Sequence, residues 1–91
     1  MTVYNIMESF VLDKVDSVLA TKPDICVCEK CRDDILALAL NRLKPRYVAS
    51  RMGDLLTRTE LLDSKLRTAI VVNIAEAAEI VLKNPRHERD V

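Results

Sequence analysis

Cys26, Cys28 and Cys31 carry every thiol of the chain within six positions, in the order CxCxxC. Thiolates are soft donors, and a turn bearing CxxC commonly supplies two of the four ligands of a tetrahedral Zn2+. A third thiolate two residues upstream can close on the same ion. One more donor is needed, and His87 is the only histidine. The expected metal centre is therefore a Cys3His zinc site made of Cys26, Cys28, Cys31 and His87. A group from a partner chain, or water, is the rival for the fourth place. Four protein ligands leave no open position, so the zinc is structural rather than catalytic. Three reduced cysteines at an incidental spacing are the plain alternative. Thioredoxin-type redox chemistry needs a βαβ setting that the sequence lacks, and iron–sulfur ligation normally takes a fourth cysteine.

A second group lies just downstream. Arg42, Lys44, Arg46, Arg51 and Arg58 place five of the fourteen basic residues within seventeen positions, beside Tyr47. Arginine forks hold phosphate and stack on purines. An ordinary solvated loop is the bland reading of the same residues. No nucleophile is paired with a second histidine, and no glycine-rich phosphate loop is present. The chain reads as a non-enzyme.

These groups need elements to hold them. Ninety-one residues make one domain, 1–91, with 49% apolar residues but only three aromatics. One glycine and three prolines leave little room for the turns of an all-β fold, so a mainly α fold is expected. Val3, Met7, Phe10, Val11, Val15, Val18 and Leu19 recur at helical steps over residues 3–20. Pro23 ends that helix. A second helix, from about Glu29 to Leu43, carries the run Ile35–Leu40 with no polar face and reads as central and buried. Residues 47–59 read as a short hairpin or extended lobe, with strands at 46–49 and 55–58 joined through Gly53 and Asp54. A third helix, capped by Thr59, runs to about Lys83. Its apolar stripe, from Leu62 to Val81, is wider than two short helices can cover. That excess predicts a homodimer built on the second and third helices. Asn73, inside the stripe, reads as a residue facing water.

Charge excludes some functions. Fourteen basic and fourteen acidic side chains cancel, so general attraction to nucleic acid is not expected. The N-terminal stretch has no signal-peptide pattern, and no apolar run reaches the ~18 residues of a membrane span. With clustered thiols and no export signal, a reducing cytoplasmic location is expected.

The stretches YNIME (Tyr4–Glu8), CVCEKC, DDILALALNRLKPRYV and EIVLKNPRH together resemble the bacterial late-competence ComFB family, over nearly the whole chain. LALNRLKPRY, Leu38 to Tyr47, is the most specific part. The resemblance implies a small, mainly helical, dimeric protein in which the cysteine cluster holds zinc. It implies reception of a cyclic dinucleotide, cyclic di-GMP or cyclic di-AMP, linked to competence, motility or cell-size control. Asn5, Glu8, Asn41, Arg42, Pro45, Arg46 and Tyr47 match the shared motifs. Glu8, Arg42, Arg46 and Tyr47 are the candidate ligand-binding residues, with Glu8 facing the Watson–Crick edge of a guanine. A zinc-stapled adaptor that binds a protein and no nucleotide is the competing function. A DNA-binding regulator ranks last, because Ile35–Leu40 cannot present polar groups to base edges.

Overall fold

The computed structural model describes residues 2–84. Its elements are β1 (Tyr4–Asn5), α1 (Met7–Leu19), α2 (Glu29–Arg42), β2 (Tyr47–Val48), α3 (Arg51–Arg58) and α4 (Ser64–Lys83), with a 3₁₀ turn at Thr59–Leu62 before α4. The mainly helical expectation holds, but there are four helices rather than three.

α4 is the longest element, and it packs against both α2 and α1. Asp63 caps it, accepting at 2.9 Å from the backbone N–H of Lys65, so the cap is Asp63 and not Thr59. Ile70, Ile74, Ala77, Ala78 and Val81 form its buried stripe. They meet Met7, Phe10, Val11, Val15, Val18 and Leu19 of α1, and Cys31, Ile35 and Ala39 of α2, in one core. Small residues at Ala39, Ala77 and Ala78 let the helices approach closely. Asn73 is half-buried and turns back on its own helix, donating to the Ala69 carbonyl at 2.8 Å.

α2 departs from the all-round apolar reading. Cys31, Ile35 and Ala39 are buried, whereas Leu36, Leu38 and Leu40 are half-buried and Ala37 is exposed. The four-residue step of the buried set shows one face against α1 and α4, not a helix enclosed on all sides.

The hairpin expected at 46–58 is not there. Tyr47–Val48 is a strand, but its antiparallel partner is Tyr4–Asn5 at the other end of the sequence, with Tyr4 opposite Val48 and Asn5 opposite Tyr47. The segment expected as a second strand is the helix α3, and Gly53 lies inside it. Ser50 caps α3 by accepting from the Gly53 N–H at 3.0 Å. The missing side chain at Gly53 lets α3 sit on β2: a Cβ there would lie 3.8 Å from Val48 Cβ and 3.2 Å from Ser50 Oγ. The expectation of helix from residue 3 fails for a related reason. Residues 4–5 are paired as a strand, and α1 starts at Met7.

No helix among the described residues is long and apolar enough to cross a membrane.

Candidate functional site: a cysteine cluster and an arginine end

The two groups singled out in the sequence sit at opposite ends of α2. At its start, Cys28 is the cap residue in extended geometry, and Cys31 lies one turn in. Cys26 precedes them on the loop from α1. The three sulfurs all lie within 4.8 Å of one another. A tetrahedral zinc with Zn–S near 2.3 Å needs sulfurs about 3.8 Å apart. The set therefore fits such an ion with a small contraction. Three soft donors favour zinc over hard cations.

The environment of each thiol differs. Cys28 is exposed, and its pKa is lowered, first by the backbone N–H of Cys31 at the start of α2 and then by the Cys26 side chain. Cys31 is buried, and burial, followed by its hydrogen bonds to Cys28 and Cys26, pushes its pKa up to about 12. Without a cation, Cys31 stays protonated at neutral pH. A bound dication reverses that preference.

Two ion pairs brace this end. Arg32 Nε lies 3.1 Å from Asp16 Oδ1 and joins α2 to α1. Lys22 Nζ lies 2.7 Å from Glu79 Oε1 and joins the loop before the cysteines to α4. The loop and the last turns of α4 thus share one end of the molecule. His87, the fourth expected donor, lies outside the described residues.

At the other end of α2 the chain is tied by Asn5. Its Oδ1 accepts from the Arg46 N–H at 2.8 Å and from the Met7 N–H at 3.1 Å. The Ile6 N–H donates to the Arg46 carbonyl at 2.8 Å. One asparagine therefore serves the start of α1 and fixes Arg46. The Arg46 guanidinium is salt-bridged through Nη1 to Glu60 Oε2 at 2.9 Å, while its Nε is buried with no hydrogen-bond partner among the described residues. Tyr47 is next along the strand, with its side chain 67% exposed. Arg42 Nη1 reaches Glu76 Oε1 of α4 at 3.4 Å. Glu8 is exposed on the first turn of α1.

The profile of the late competence development protein ComFB family matches residues 4–85. The chain belongs to that family. A ComFB competence protein from Bacillus subtilis (strain 168) is 40% identical over 60 residues, which is 66% of this chain and 61% of that protein. The matched stretch thus spans less than two thirds of the curated relative. The solved structure of the late competence protein ComFB from Bacillus subtilis superposes with a TM-score of 0.81 at 32% identity, covering 92% of each chain. The four-helix arrangement is therefore shared with a solved ComFB.

In this ComFB-family chain the structure brings the three cysteines together. It places Arg42 and Arg46 on separate carboxylates, Glu76 and Glu60. Those two acids were not foreseen, because they are distant in sequence from the arginines they hold. Tyr4 and Asp54 were missed as well. The Tyr4 hydroxyl donates to Asp54 Oδ2, and Arg58 Nε donates to Asp54 Oδ1 at 2.5 Å. The Asp54–Arg58 half was readable as an i,i+4 pair on a helix. It was hidden by taking the segment as a strand. The Arg58 guanidinium also stands 6.0 Å from the centre of the Phe10 ring.

Proposed function

We propose that this protein is a non-enzymatic cytoplasmic regulator, a homodimer that receives a cyclic dinucleotide through Arg42, Arg46, Tyr47 and Glu8 and carries a structural zinc. The observation that supports the ligand reading is the state of Arg46. Its backbone is held from both sides by Asn5 and Ile6, so the side chain projects from a fixed point. Its Nε is a buried donor without a partner, which costs free energy until an acceptor arrives. A phosphate oxygen supplies that acceptor. Glu60 occupies the same guanidinium through Nη1 and is the anion a phosphate would displace or share it with. Tyr47, next in the chain and exposed, offers a ring face to a purine.

The zinc of the proposal is held by Cys26, Cys28 and Cys31, and His87 is proposed as the fourth donor. The end of α4 stands near the cysteine loop, and four residues extend at most ~14 Å beyond Lys83. When bound, the zinc supplies a cross-link between the loop and the start of α2. The chain's own contribution is to present the thiols on a helix N-terminus.

Calorimetric titration with cyclic di-GMP and cyclic di-AMP tests the function directly. Binding of either, weakened by Arg46→Ala, is expected. Absence of heat with both ligands transfers the weight to the second reading, a zinc-stapled adaptor for a protein. The exposed apolar side chains Met52, Leu55 and Leu56 on the outer face of α3 are the observation that favours that alternative.

A further inference from the structure

α1, the 3₁₀ turn and α4 do not close on one another completely. Phe10, Asp13 and Lys14 of α1, Leu61 of the turn, and Arg67 and Ile70 of α4 line a cavity of about 270 Å³ between them. Phe10 and Ile70 are core residues and form its floor, and half-buried Leu61 forms a wall. Its rim carries Lys14 and Arg67, both exposed. Arg67 Nη1 donates to the Leu61 carbonyl at 2.6 Å, which ties the turn to α4 and fixes the guanidinium beside the cavity. Neither cation forms an ion pair among the described residues. The same two side chains, with Thr68 and Val71, line an adjoining and more open hollow of about 300 Å³. Asp13 is the acid of the inner lining, so two positive charges there face one negative. Arg58 stands 6.0 Å from the centre of the Phe10 ring but is held by Asp54.

We infer that the two hollows form a binding site for a small amphipathic anion, a single-chain carboxylate or phosphate monoester. Its apolar body lies on Phe10, Leu61 and Ile70, and its head lies between Lys14 and Arg67. A mainly apolar lining with a few placed polar groups is the make-up of a small-molecule site. The inner volume lies near the ~300 Å³ lower end of such sites, so the body is one ring or one short chain. The two cations share a rim without a carboxylate to pair them, and an anion between them relieves their repulsion. The Arg67 guanidinium keeps donors beyond the one given to Leu61, and its fork matches a carboxylate or a phosphate. The Thr68 hydroxyl, with no hydrogen bond among the described residues, is a further donor in the outer hollow. Glu8, Arg42, Arg46 and Tyr47 line neither hollow, so this site is separate from the proposed cyclic dinucleotide site and does not rest on it.

Amide NMR of the full chain, titrated with octanoate and with octyl phosphate, tests it, with octanol and inorganic phosphate as controls. Saturable shifts at Phe10, Lys14, Leu61, Arg67 and Ile70 are expected with at least one of the two amphipathic anions. That binding should be at least about tenfold tighter than for either control. Lys14→Ala and Arg67→Ala should each weaken it about tenfold. The Lys14 side chain makes no hydrogen bond among the described residues, so Lys14→Ala stands as a test even where Arg67→Ala loosens the turn. Octanol binding as tightly as octanoate, or an unchanged affinity in Lys14→Ala, overturns the anion site. Inorganic phosphate binding as tightly as octyl phosphate overturns the apolar half. Shifts centred instead on the exposed Met52, Leu55 and Leu56 mean adsorption to the surface, and they overturn the proposal, as does an absence of shifts with both anions.

Discussion

α2 begins at a cluster of thiols and ends at a backbone knot, and the two ends are held by different physics. At the cysteine end, the nine-residue loop 20–28 is flanked by surface ion pairs, Lys22–Glu79 from the loop to α4 and Arg32–Asp16 between the helices, whose exposed partners contribute little. The rest of its order depends on what the three sulfurs hold. At the arginine end, Asn5 makes two half-buried hydrogen bonds and a short sheet closes the chain on itself. The backbone of that end is closed by protein atoms alone. The comparison teaches where the proposed zinc would matter: at the end where the sequence has only a loop to offer. Where two distant segments can pair directly, no staple is needed.

The harshest test of this contrast is to remove the proposed zinc. Elemental analysis should give close to one zinc per chain. Chelation should lower the melting temperature by more than ~10 °C, as losing a few kcal/mol does in a domain of this size. Amide exchange should then speed up from Ile25 to Cys31, while the Ile6 and Arg46 amides stay protected. A metal-free protein with unchanged melting and exchange would show the cysteine end to be self-sufficient. His87→Ala that keeps its zinc at the same affinity would remove only the fourth donor.

Next in size is the arginine end as a binding site. Arg46→Ala should weaken cyclic dinucleotide binding about a hundredfold, the loss of one or two charge-assisted hydrogen bonds in each copy. Arg46→Lys restores the charge without the planar fork and should recover only part of that loss. Equal affinities for wild type and Arg46→Ala would make Glu60, and not a ligand, the sole reason for the arginine.

Asn5 sharpens the comparison from the structural side. Asn5→Ala removes the acceptor for both Met7 and Arg46 N–H groups and should cost about 1–2 kcal/mol. That corresponds to a fall of roughly 5–10 °C. Asn5→Asp keeps the acceptor and should recover most of it. Zinc content should not change in either variant, because the two ends are independent. Loss of zinc from Asn5→Ala would mean that α2 transmits disorder along its length.

The two ends were also unequally legible. CxCxxC is a local pattern, and six residues suffice to bring the sulfurs together. The apolar steps of α1 and α4 likewise named most of the core, from Phe10 to Val81. The β1–β2 pair is two residues long on each side, and its register depends on Asn5 reaching Arg46, 41 positions away. No local signal carries that. α3 was misread for a different reason. Gly53 beside Asp54 is turn chemistry, and Leu55-Leu56 after it suggests a strand. The helical spacing of Met52, Leu55 and Leu56 was present, but its apolar side faces outward, so a search for a core face passed over it.

The smallest expected effect concerns the contact that pins α3 to the arginine end. The Arg58 guanidinium, followed by the Tyr4 hydroxyl, holds the Asp54 carboxyl below its ordinary pKa of 3.8. The same hydrogen bond to Asp54 raises the Tyr4 hydroxyl above its ordinary 10.0. For Asp54, the folded state prefers the ionised form. Its contribution is present above the unfolded pKa, near 4, and is lost as pH falls through the lower folded value. For Tyr4, the folded state prefers the neutral form. Its contribution is complete below about 10 and is lost as pH rises through the higher folded value. Tyr4→Phe removes the shared hydrogen bond and leaves Asp54 with Arg58. The melting temperatures of wild type and Tyr4→Phe should therefore differ by a small constant amount from about pH 5 to 9, with the gap closing on both sides. Asp54→Asn should instead lose the Arg58 pair as well and flatten more of the acid limb. A gap that persists unchanged at pH 11 would mean that the tyrosine ring, rather than its hydroxyl, holds β1 against α3.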